Sequence, residues 1–160
     1  MILGLEARAD VCGWALLDTA ARSFVDLGVV TALGADVAGM AGAREGHAAA
    51  EKLRGALGAI AIEAVAVSHA PTLGFAWGVV VGLALYYRPE LAEVPPARWH
   101  RVLLPNVHAR PEPEAARSVA VHLLSKHAAA VTAMRRVPEQ HQDLALVAAM
   151  MALAVAVRPR

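Results

Sequence analysis

The sequence predicts an α/β fold: a five-stranded mixed sheet, its first three strands antiparallel, flanked by helices. Three observations carry this. Three short apolar runs separated by turn-type residues open the chain, which is the signature of an antiparallel meander. A long mixed apolar and charged stretch is then followed, after a glycine, by an uninterrupted apolar run of the kind found in strands buried on both faces of a parallel sheet. The rest is rich in alanine, 37 of 160 residues, with only 4% aromatic, so helices and strands should approach closely. With 58% apolar residues and a mean hydropathy of +0.47, a disordered tail is excluded and one domain spanning residues 1–160 is expected.

The elements follow in order. Ile2 to Glu6, Gly13 to Leu17 and Ser23 to Thr31 are the three opening strands, with turns at Arg8 to Asp10 and Asp18 to Arg22. Ala35 to Leu57 is a long amphipathic helix with Asp36 near its start and Gly58 as its C-cap. Ala59 to Val67 (AIAIEAVAV) is the buried parallel strand, with Glu63 inside it. Thr72 to Tyr87 is a helix whose Gly74, Gly78 and Gly82 form one smooth stripe that lets a strand or a second helix come close. Glu90 to Pro96 is a loop with a short strand near Val94, and Ala97 to Leu104 is a short helix opening after Pro96. Pro105 to Pro113 is an exposed connection, Glu114 to Met134 is helical, and Pro138 opens a last helix to about Val157.

The 24 residues between Glu63 and Arg88 carry no charge, about the length of a membrane span. Ser68, His69 and Pro71 interrupt them, and the 16 residues from Thr72 to Tyr87 fall short of the roughly 20 that a bilayer needs, so a buried strand and helix are expected and no membrane partner. The amino terminus shows no signal peptide, and a single cysteine, Cys12, agrees with a reducing, cytoplasmic setting and removes thiolate metal sites. Charge is uneven. Residues 1–87 hold 5 basic and 8 acidic side chains, while residues 88–160 hold 10 and 6, and 13 of the 15 basic residues are arginine, which suits phosphate contact.

Three acids stand among apolar neighbours: Glu6 at the end of the first strand, Glu63 in the buried one, and Asp143 at the start of DLALVAAMMALAVAV. A buried carboxylate is costly unless it is paired, protonated or bound to a metal. Acids gathered around Mg²⁺ would explain all three, because that ion prefers hard oxygen ligands and two such ions can drive phosphodiester cleavage. The alternative is that Glu6 and Glu63 lie at strand ends in solvent and that Asp143 is a helix-terminal acid favoured by the dipole.

Several segments, in order, resemble the RuvC family of Holliday junction resolvases. ILGLEARADVCGWALLD, with Gly4, Glu6, Gly13 and Trp14, is similar to the family's first hairpin, which has an acid at the strand end and a glycine and an aromatic seven and eight positions later. AIAIEAVAV resembles its second acidic strand, with Glu63 on the second catalytic acid, and FAWGVVVGLAL the helix that follows. PARWHRVLLP matches a segment in which His100 stands where lysine is usual, and Arg117 and Ser118 match a Lys-Ser helix start. QHQDLALVAAMMALA resembles the closing helix and maps Asp143 onto the last catalytic acid.

The departures are equally specific. The family's first acid is Asp followed by Pro-Gly, where this chain has Glu6, Ala7 and Arg8. Its fourth ligand falls on Gln140; Glu139 shares a helical face with Asp143 and is favoured in its place, with His141 close behind. The aromatic wedge expected after the second acid is missing, since Ala66 to Pro71 offers only His69.

The resemblance implies an RNase H-like fold and a homodimer that nicks four-way or otherwise branched DNA with Mg²⁺, or Mn²⁺ in its place. Its setting would be a bacterial or virus-infected bacterial cytoplasm. The implied metal ligands are Glu6, Glu63 and Asp143, with Glu139 or His141 completing the catalytic site. Arg98, His100, Arg101, Arg117, Lys126, Arg135 and Arg136 are the implied DNA contacts. The alternative is an RNase H-like DNA-binding or scaffolding dimer whose catalytic site has decayed.

Overall fold

Side chains alternate along a strand, so a strand between two layers must be apolar on both faces. Strand β1 (Ile2–Ala7) does this: Ile2 faces one core together with Ala15 and Leu17, while Leu3 and Leu5 face the other with Cys12, Trp14 and Leu16. The computed structural model describes residues 1–69, 71–103 and 113–157, with the backbone alone for 113–116. The connection expected at Pro105 to Pro113 lies, apart from the backbone of Pro113, outside the described residues.

β2 (Val11–Asp18) pairs antiparallel with β1, and β3 (Ser23–Thr31) antiparallel with β2. A bulge between Leu16 and Leu17 shifts the register, so Phe24 and Leu27, three residues apart, reach the same core. β4 (Ala64–Val67) and β5 (Glu90–Glu93) add in parallel to β1, giving the order β3-β2-β1-β4-β5. The expected five-stranded mixed sheet with an antiparallel start is therefore present.

Two helices cover one face, α1 (Gly39–Leu57) and α2 (Phe75–Tyr87). The glycine stripe of α2 serves its contact with α1: a Cβ on Gly78 would collide with the Ala43 carbonyl and Gly46, and one on Gly46 with the Phe75 carbonyl. Gly58 caps α1 as expected, with φ +70°. The other face carries α3 (Pro96–Leu103), α4 (Pro113–Ser125), α5 (Ala128–Met134), a 3₁₀ turn (Glu139–His141) and α6 (Gln142–Ala156). The single helix expected over Glu114 to Met134 is broken at Lys126 and His127, where the His127 ring packs edge-on against Phe24 at 5.1 Å. Among the described residues no helix is long and apolar enough to cross a membrane.

The apolar run Ala59 to Val67 yields a strand only from Ala64. Gly58 reverses the chain and Ile60 bonds back to its carbonyl, so the first residues after α1 complete the turn.

Helix α6 lies across the centre of the sheet, where Gly4 and Gly13 leave bare backbone. A Cβ on Gly4 would overlap the Ala148 carbonyl oxygen, and one on Gly13 would overlap the backbone at Leu144 and Ala145. Gly4→Ala should therefore cost about 3 kcal/mol or more through overpacking. Gly55→Ala, where an added Cβ meets nothing within 4 Å, should gain about 0.5 to 1 kcal/mol. Urea denaturation of the two variants reads the opposite signs.

Candidate functional site

Because β1, β4 and β5 run parallel, their C-terminal ends meet at one edge of the sheet. Glu6 stands there, half-buried and on the same face as Gly4, pointing toward α6. It pairs with Gly13, against whose bare Cα the Leu144–Ala145 backbone rests, so the first turn of α6, which carries Asp143, lies over the Glu6–Gly13 pair. Glu6 Oε2 is buried with no hydrogen-bond partner among the described residues. Asp143 is 61% exposed, and its Oδ1 accepts a 2.7 Å hydrogen bond from Arg117 Nε of α4.

The second expected acid is elsewhere. β1 and β4 pair Ile2 with Ala64 and Leu5 with Val67, so the next residue in register, beside Glu6, is Ser68. Glu63 falls at the opposite end, next to Met1: its backbone N–H donates to the Met1 carbonyl and its 66% exposed side chain lies 3.0 Å from the Met1 amine. Five residues of strand, about 16 Å, separate it from the level of Glu6. The Ala-Ile-Glu match is thus corrected: the strand that lies beside β1 begins after it. Ser68 is buried, and its hydroxyl lies 3.1 Å from His69 Nδ1.

Glu139 and His141 also depart from the expected geometry. They belong to the 3₁₀ turn, and α6 begins at Gln142, so the i−4 relation that puts Glu139 on the face of Asp143 does not apply. Glu139 is exposed and His141 half-buried. Among the described residues no group of three or more His, Cys, Asp or Glu side chains is placed to hold a metal ion. With Ser68 beside Glu6 and a guanidinium on Asp143, the residues present do not fit a two-ion centre of the expected kind.

The basic candidates divide. Arg98 lies at the same edge as Glu6, where its Nη1 donates 3.0 Å to the Glu93 carbonyl, and Arg101 is exposed on the same helix. His100 is half-buried beside Trp99, and burial pulls its imidazole below the ordinary value. Arg117 and Arg135 line a groove of about 330 Å³ between α4, α5 and α6, with Asp143 on its wall. Arg136 Nη2 holds Asp26 Oδ1 of β3 at 2.5 Å. Lys126 is separated from Arg117, since its neighbour His127 packs on Phe24, which pairs with Leu17 at the Ile2 end of the sheet. The sequence reading missed Ser68 as the neighbour of Glu6. The signal for it was there, as the first polar residue after the AVAV run.

No protein-family model and no curated protein sequence matches the chain. Among solved structures, a Thermus thermophilus RuvC structure superposes with a TM-score of 0.66 at 19% identity, covering 98% of this chain and 92% of that one. T. thermophilus RuvC in complex with Holliday junction substrate superposes with a TM-score of 0.63 at 16% identity over the same shares. The chain has a RuvC-like fold. Within it, the RNase H-like arrangement expected from the sequence is present, and the gathering of Glu6, Glu63 and Asp143 at one point is not.

Cys12, on the face of β2 away from α6, is fully buried; burial first and then the nearby Glu6 push its thiol well above the ordinary 9.0. The folded chain therefore holds the proton that the unfolded chain releases. This contribution is fully present below about pH 9, and stability should fall as pH rises beyond it. Cys12→Ala should flatten that alkaline loss in denaturation curves measured from pH 8 to 10.5, a range chosen to span roughly the unfolded thiol's titration.

Proposed function

We propose that the protein binds branched DNA of the four-way-junction type as a homodimer in the bacterial or phage-infected cytoplasm, without two-metal cleavage. This is the DNA-binding dimer raised as an alternative by the sequence. Binding is supported by the RuvC-like fold, one of whose solved counterparts holds a Holliday junction substrate, and by two exposed arginines, Arg98 at the same sheet edge as Glu6 and Arg117 on Asp143. A four-way junction has two-fold symmetry, which a dimer with a two-fold axis matches. The observation that carries the lack of cleavage is the β1–β4 register, which ends with Val67 beside Leu5 and so leaves Ser68 next toward Glu6, while Glu63 sits at the far end of the strand.

A second reading, the Mg²⁺ or Mn²⁺ dependent endonuclease, is favoured by one observation. Glu6 Oε2 is a buried carboxylate oxygen without a partner among the described residues, under the helix turn that carries Asp143.

Synthetic four-way junctions and linear duplexes separate the readings. Fluorescence anisotropy should give at least about tenfold tighter binding to the junction, with strong salt dependence, and denaturing gels should show no nicks in Mg²⁺ or Mn²⁺. Nicks that vanish in Glu6→Gln but persist in Glu63→Gln would establish the endonuclease instead. Equal affinity for both DNAs would remove junction selectivity altogether. Glu63→Gln should also leave stability within about 1 kcal/mol of the parent, as expected for an exposed pair.

A further inference from the structure

We propose that Asp143 acts in this chain as a latch on Arg117, and that the Arg117 guanidinium, in place of a divalent cation, is the positive charge that meets a DNA phosphate beside Glu6. The proposal rests on the branched-DNA reading and adds to it how the phosphate is held. Three observations lead to it. Arg117 Nε lies 2.7 Å from Asp143 Oδ1, so the carboxylate expected to face a metal already faces a cation. Both partners are more than half exposed, 56% and 61%, and exposed pairs of this kind are weak and exchange readily. The third observation is Ser68: the residue next to Glu6 in register brings no negative charge that would hold a cation there.

The groove beside the pair is lined by Arg117, Arg135 and Asp143 and by apolar residues, Val121, Leu124 and Met134 among them, so its cations are where a phosphate would be met. An arginine fork binds phosphate bidentately, and the Nε–H that now holds Asp143 is one of the donors it would use. In the free protein Asp143 orients and neutralises Arg117. When a phosphate arrives, the guanidinium transfers to it, and the carboxylate is left exposed to water at the first turn of α6, where the helix dipole favours a negative charge.

The test is a double-mutant cycle on the full chain with a labelled four-way junction, titrated in EDTA and in Mg²⁺, with thermal melts confirming that each variant is folded. Wild-type binding should be retained in EDTA, because no phosphate contact is routed through a metal, and Mg²⁺ should weaken it only as a competing counterion. Asp143→Asn should bind about threefold more tightly in EDTA. Arg117→Gln should bind about tenfold more weakly, with the slope of log affinity against log salt reduced by about one. In the double variant the gain from Asp143→Asn should disappear. Junction binding by the wild type that is lost in EDTA overturns the latch while leaving the branched-DNA reading standing. So does a gain from Asp143→Asn that persists without Arg117, since general charge removal would then be its cause. Failure of the wild type to bind junctions in either solution overturns the branched-DNA reading and the latch together.

Discussion

The contact of α6 with bare backbone at Gly4 and Gly13 governs what the rest of the structure can do. Helix and sheet touch there without an intervening side chain. That contact brings the first turn of α6 over the end of β1, and with it Asp143 over Glu6. It also explains the small residues along the helix: Ala145, Ala148, Ala149 and Ala152 are fully buried against the sheet. Any larger residue in this row would lift the helix and open the layer that seals this face of β1 and β2.

The same economy operates on the opposite face, where α1 and α2 meet through Gly46 and Gly78. The uncharged run of 24 residues thus has a structural meaning: it holds the interior strand β4 and a helix that packs against α1 and shares its core with the sheet. Its apolar character follows from burial on both sides rather than from lipid.

At the sheet edge that carries Glu6, the charged groups do not converge as the sequence led one to expect. Glu6 keeps one oxygen buried and unpartnered among the described residues, Ser68 brings a hydroxyl in place of a charge, and Arg117 neutralises Asp143. A cleavage centre with two ions needs several carboxylates converging on one point. Here the remaining acids diverge, Glu63 to the other end of the sheet and Glu139 to an exposed turn before α6. What is left at this end is a mostly apolar groove edged by Arg117, Arg135 and Asp143, on a RuvC-like fold.

The sequence by itself determined the layers: the alternation in β1 and β2, the run at AVAV, the Gly58 stop and the apolar last helix each require burial on a definite face. It also determined Glu6 and Asp143 as neighbours of the central packing, since each sits next to residues that must be buried. Register was beyond its reach. The run from Ala59 to Val67 is apolar throughout apart from Glu63, so nothing local marks where the turn after Gly58 ends and pairing begins. Only the pairing with β1, which sets Val67 beside Leu5 and Glu63 beside Met1, leaves Ser68 and not Glu63 as the next residue toward Glu6. Likewise the 3₁₀ turn after Pro138, the break at His127 and the reach of Arg117 to Asp143 come from contacts between residues far apart in the chain. Local pattern specifies which faces are buried; the positions of charges relative to one another are decided by how the buried faces finally dock.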